Sequence, residues 1–251
     1  MRVAAILTRP RGLAVTCVIA LTALGWAALG LMAVDVGIWT ALCQPMGSGG
    51  VEFALVLSMW AAMTFAMMLP TAGPMMLTYA EIADTAARKQ EPAASPLLLA
   101  AGYVAIWLGF ALVATALQLA LTQLAWLDEG RPSPWLAGAI LLGAGLYQFS
   151  PLKHTCLTIC QRPFPFFFAN WTTEPLGVFK LGMRQGLYCL GCCWAMMLMM
   201  FAAGVMSVVW MAALAVVMTI EKMTITTRFP HIVGGAFVTI GLGIVAMTLV
   251  T

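Results

Sequence analysis

The residues in this chain best equipped for chemistry carry sulfur, and they are concentrated. The stretch Tyr188-Cys189-Leu190-Gly191-Cys192-Cys193-Trp194 sets two cysteines at C-x2-C spacing and a third directly after them. At about 100° per residue, a helix returns Cys189, Cys193, Met196 and Met200 to one stripe, with Cys192 beside it. Thiolate followed by thioether is a soft-ligand ladder of the kind that selects Cu(I), or another soft ion, over hard cations. The plain alternative is packing: buried cysteine behaves as a small hydrophobe and methionine fills gaps. Three cysteines in five residues, backed by a methionine stripe, favour the metal.

Two further stretches join this one. Lys153-His154-Thr155-Cys156-Leu157-Thr158-Ile159-Cys160 has C-x3-C spacing, which puts both thiols on one helical face. If it shares one edge of the protein with the first cluster, five cysteines converge from 29 residues apart. A redox dithiol or inert thiols are the other readings of this pair. His154 reads as an interfacial residue. The third stretch runs from Met59-Trp60 through Met63 and Met67-Met68 to Pro70, Pro74 and Met75-Met76. Met63 and Met67 share a face, and together with Met196 and Met200 they are candidate thioether ligands along a path. Pro70 and Pro74 are expected to break the helix and free carbonyls that need partners. Glu221-Lys222 reads as an ion pair at the membrane interface, and Glu52 as a carboxylate snorkelling to the surface. No residue is assigned a catalytic role, for the chain has no nucleotide loop, serine hydrolase elbow or H-E-x-x-H motif.

The elements that must hold these residues follow from composition. Of 251 residues, 63% are hydrophobic and 8% charged, against about 25% charged in a soluble chain. Most of the exterior must therefore face lipid. The fold expected is a single all-α domain over residues 1–251, a transmembrane helix bundle. A spanning helix needs about 20 apolar residues, and seven segments approach this: 12–34, 52–77, 97–126, 135–151, 184–203, 205–220 and 232–250. The stretch 184–220 is too long for one span and should reverse at Ala203-Gly204. Residues 35–50 form an outer loop, and about 160–182, with Pro163, Phe164, Pro165 and Trp171, an interfacial segment. The N-terminal apolar run reaches Val34, longer than a cleaved signal core, and reads as a first span.

Seven spans with the N-terminus inside and the C-terminus outside place eleven of the twelve basic residues inside, Arg131 alone lying outside. The small net charge of +3 gives no sign of nucleic acid. Seven cysteines, an odd number, argue against a full disulfide framework. Trp60-Ala61 with Met63 and Trp194-Ala195 with Met197 match weakly, hinting at an inverted repeat.

Trp60…Met63…Met67-Met68…Pro70…Pro74-Met75, then Lys153…Cys156…Cys160…Pro163, then Gly186 to Met197, closed by Glu221-Lys222, resemble a bacterial family of predicted metal-binding integral membrane proteins of unknown function. The likeness covers about residues 50–225. It implies a metal, a place in the bacterial inner membrane and a membrane or periplasmic protein partner. The function expected is copper acquisition, storage or delivery to a partner. Two rivals are a subunit of a metal- or thiol-dependent oxidoreductase or oxygenase complex, and a structural subunit of a larger membrane complex. Copper centres that activate oxygen usually use imidazole, and the chain has only His154 and His231.

Overall fold

The computed structural model describes residues 10–35, 37–38, 50–90, 92–124, 126–128, 131–204 and 207–250. Cys43 and most of the expected 35–50 loop lie outside them. The described residues form nine helices: α1 Pro10–Val34, α2 Gly50–Arg88, α3 Pro96–Gln123, α4 Pro134–Tyr147, α5 Pro151–Gln161, α6 Pro163–Ala169, α7 Pro175–Ala203, α8 Val208–Met223 and α9 Arg228–Val250. A two-residue ladder, Leu127–Asp128 with Arg131–Pro132, closes the turn between α3 and α4. The fold is all-α.

Local sequence sets most helix starts. Ser95-Pro96, Ser133-Pro134 and Ser150-Pro151 each place a serine at the N-cap, where its hydroxyl accepts a backbone N–H, and a proline at the first helical position. Proline suits that position because its φ is helical and its missing N–H would have no partner there. Pro163 and Pro175 likewise stand first in α6 and α7, but without a capping side chain. Gly204 ends α7 with φ 93°, a backbone conformation that costs glycine little, and α8 starts after it. The expected break at Ala203-Gly204 is present.

Pro70 and Pro74 do not break α2, which runs unbroken for 39 residues. Proline at 70 withholds the N–H that would bond the Ala66 carbonyl one turn back. The indole N–H of Trp26 on α1 donates to that carbonyl instead, at 3.1 Å. A neighbouring helix thus satisfies the freed acceptor, and continuity survives.

The bundle is built around α2 and α7. In their most apolar windows 56% of residues are buried, against 11% for α1 and 17% for α9. α1 flanks α2, α9 flanks α4, and α7 packs on α3, α4 and α5. Where α3 crosses α7 the backbones nearly touch. A Cβ on Gly102 would collide with the Phe179 carbonyl, and one on Gly182 with that of Leu99. Small residues at a crossing allow this approach in apolar surroundings, where van der Waals contact drives helix association.

Among the described residues five helices are long and apolar enough to cross a membrane, and α4 and α5, bent by 65° at Gln148–Ser150, make a sixth crossing if they form one broken span. The expected sixth of seven spans corresponds to α8, with 16 residues. At about 1.5 Å per residue it covers about 24 Å, short of a hydrocarbon core of about 30 Å. The 160–182 segment divides in two. α6 packs on α2, with Phe167 buried against the Tyr79 ring at 5.6 Å, and residues 175–182 already belong to α7. The paired Trp-Ala stretches occupy unlike sites, Trp60 fully buried and Trp194 38% exposed, so they offer the repeat no support.

Candidate metal centre

C-x2-C-C on α7 brings three thiols together because one helical turn separates Cys189 from Cys192 and Cys193. Their sulfurs all lie within 4.8 Å of one another, and all three residues are buried. Cys192 Sγ is 3.3 Å from Cys193 Sγ and donates to the Cys189 carbonyl at 3.1 Å. A thiolate–metal bond is about 2.3 Å long, so three sulfurs around one ion stand about 4 Å apart. Small side-chain adjustments close this trio on a metal. Among the described residues it is the one such group of histidine, cysteine or carboxylate donors.

The C-x3-C pair arrives on α5, which the 65° bend after α4 lays against α7. Cys160 Sγ comes to 4.0 Å from Cys192 Sγ. Cys156 packs on Gly191, where any Cβ would come within 2.7 Å of its sulfur. The expected convergence of five cysteines is thus a core of three, a fourth at its edge, and Cys156 against the helix backbone beside it. The hydroxyl of Tyr147 on α4 donates to the Gly191 carbonyl, fastening that turn from the other side.

Three residues that the sequence did not place at the metal site, Lys222, Thr71 and Tyr103, complete the surroundings of Cys189. Lys222 Nζ donates to Cys189 Sγ at 3.0 Å and to Thr71 Oγ1 at 2.7 Å. The Tyr103 hydroxyl lies 3.0 Å from the same sulfur and donates to the Met68 carbonyl at 3.2 Å. Lys222 is buried, and an ammonium out of water needs a compensating charge. Thr71 is neutral, so the sulfur of Cys189 is the partner able to carry one. Three thiolates around one Cu(I) would sum to a charge of about −2, and the ammonium offsets part of it.

Glu221 and Lys222 do not pair with each other, contrary to the expected interfacial ion pair. One helical residue apart, they point to different helices. Glu221 forms a buried salt bridge with Lys153 on α5, Oε2 to Nζ 2.8 Å, both side chains 1% exposed. Gln161 Nε2 donates to the carbonyls of Glu221 and Thr224 at 2.8 and 2.9 Å. The end of α8 therefore holds α5, with Cys160, through one residue and Cys189 of α7 through the next. His154 and His231 stack on each other at 5.1 Å, and neither belongs to the sulfur group.

The four candidate methionines are all in the core: Met63, Met67 and Met200 are fully buried and Met196 nearly so. α2 and α7 run antiparallel here. Lys222 links Thr71 to Cys189 at one level, and Trp60 packs on Phe201 at 5.2 Å at the other. Met63 and Met67 of α2 thus lie between the levels of these two links, as Met196 and Met200 of α7 do.

An all-α bundle with a buried trio of soft donors is an arrangement able to hold a soft metal ion. A family model described as "PpoB2: Copper chaperone" matches residues 57–244, three quarters of the chain, and the chain belongs to that family. The matched stretch contains every candidate ligand. No curated protein and no solved structure matches the chain. The resemblance read from the sequence pointed to a metal; the family and the buried cysteines fit copper.

Proposed function

We propose that this protein is a membrane-embedded copper chaperone that holds Cu(I) on Cys189, Cys192 and Cys193 and hands it to a partner protein. The observation that carries the reading is the sealed trio of sulfurs in a chain of the copper chaperone family. Soft thiolates favour Cu(I) over the hard cations abundant in cells, and burial keeps water and oxidants from the ion. The copper is cargo, bound and released without change of oxidation state.

A membrane location is supported by five apolar helices of spanning length and by the large residues they expose, such as Leu31, Val113 and Leu249. The orientation proposed is N-terminus inside, in a bacterial inner membrane. Two of the eleven basic residues behind it, Lys153 and Lys222, are buried in polar contacts of the protein's own, and Arg228 counts as inside only if α8 crosses, so eight residues against Arg131 carry the argument.

Copper analysis tests the proposal. Protein purified anaerobically from copper-supplied cells retains Cu(I), and excess Zn(II) or Mg(II) does not displace it; copper-free protein from such cells would refute the reading. The methionines make a second prediction. Replacing Met63, Met67, Met196 and Met200 by leucine keeps volume, and such a swap costs under about 1.5 kcal/mol per site. The variants fold, and copper delivery measured by activation of a copper enzyme in cells falls. Unchanged delivery would leave these methionines as packing alone.

A further inference from the structure

The four clustered thiols differ in position. Cys189, Cys192 and Cys193 are sealed in the core, whereas Cys160 is partly exposed. It sits next to the last residue of α5, an 11-residue helix. Its sulfur is 4.0 Å from that of Cys192. It nevertheless falls outside the group whose members all lie within 4.8 Å of one another. Cys160 thus faces one edge of the trio, in contact with the thiols of both Cys189 and Cys192. One path from that edge inward runs from Cys160 to Cys192 and then to Cys193, the last step 3.3 Å.

A bare cation cannot leave such a site, because an unsolvated charge in apolar surroundings is far too costly. Copper must move by ligand exchange, with each new copper–sulfur bond forming as an old one breaks. One ion with two thiolate bonds of about 2.3 Å bridges sulfurs up to about 4.6 Å apart, and the Cys160–Cys192 separation falls within that reach. The polar contacts around α5 maintain the separation: the Lys153–Glu221 salt bridge at its start and the Gln161 amide at its end.

We propose that Cys160 is the exchange ligand of the centre, the thiol through which Cu(I) passes between the buried trio and a thiolate or other soft ligand of a carrier. This rests on the copper site proposed above and adds its route. In loading, a bond forms from copper to Cys160 Sγ and one to the carrier's sulfur breaks. The proton of the Cys160 thiol goes to the departing thiolate, and copper remains Cu(I). The same exchange then transfers the ion from Cys160 to Cys192, and release reverses both steps.

The test separates holding from passing. Wild-type and Cys160→Ser protein are loaded anaerobically with Cu(I), freed of excess and mixed with the Cu(I) chelator bathocuproine disulfonate. Copper per chain is measured before mixing, and the transfer rate afterwards by absorbance. Cys160→Ser holds as much copper as wild type and yields it slower by about tenfold or more, each tenfold being about 1.4 kcal/mol of barrier. Cys160→Met, which restores a soft donor, recovers part of the rate. Cys156→Ser, whose sulfur packs on Gly191, transfers at the wild-type rate. Equal rates for Cys160→Ser and wild type overturn the proposal. So does loss of copper from Cys160→Ser and Cys160→Met, which would make Cys160 a fixed ligand. Wild-type protein that takes up no copper refutes the site itself rather than the route.

Discussion

Protein carrying serine at Cys189, Cys192 and Cys193 together is expected to fold and to hold no copper. A hydroxyl is a hard, weak donor, and three of them leave a soft cation without a ligand set. The fold should survive because serine is close to cysteine in size, and the helix around the trio is held by other contacts. The Gly102 and Gly182 crossing fixes α7 on α3, and Tyr147 fastens the Gly191 carbonyl. Lys222 keeps its bond to Thr71 and can donate to a hydroxyl at 189, but serine carries no charge to compensate the ammonium, so some stability is lost and the other contacts must hold the fold. The measurement is copper per chain after anaerobic loading, with helix content checked by circular dichroism. Full copper retention in a folded triple variant would sink the proposed centre. Single replacements divide the labour further: a dithiol working as a local pair would leave the other thiols functional, whereas one shared ion weakens with each loss.

Glu221→Ala has the second large expected effect, and it acts on stability first. The carboxylate is the counter-charge of Lys153, and both are out of water. Removing one partner of a buried pair strands the other charge and costs about 3–5 kcal/mol. The variant should unfold at markedly lower temperature, and α5 should loosen from α8, taking Cys160 with it. Replacing both partners, Lys153→Met with Glu221→Leu, removes the stranded charge and should recover most of the stability, since apolar replacements of buried ion pairs are often neutral or better. A Glu221→Ala protein as stable as wild type would mean that the salt bridge is dispensable. A double variant no better than Glu221→Ala would place the loss elsewhere, in the packing of α8.

The prolines and glycines show how far local sequence reaches. Ser-Pro at 95–96, 133–134 and 150–151 fixes helix starts through bonds made within a few residues, and Gly204 supplies the backbone angle that ends α7. Pro70 lies beyond that reach. Proline removes a donor wherever it sits, but whether the helix then breaks depends on what stands opposite the orphaned carbonyl. Here it is Trp26, 40 residues earlier in sequence. Gly102 and Gly182 look unremarkable in the sequence, and become necessary when two backbones cross.

The sequence by itself determined the helical class, the apolar exterior and the sulfur trio, because composition and a 3.6-residue period are local properties and one helical turn already unites Cys189, Cys192 and Cys193. Tertiary structure alone decided what surrounds them. Lys222 reaches Cys189 across 33 residues and Thr71 across 151, and Glu221 turns from its neighbour in sequence to Lys153, 68 residues away. The adjacent opposite charges invited pairing with each other, yet residues next to one another on a helix point about 100° apart. Each instead meets the buried partner its own face of α8 presents, because a charge removed from water is held by whichever neighbour can compensate it.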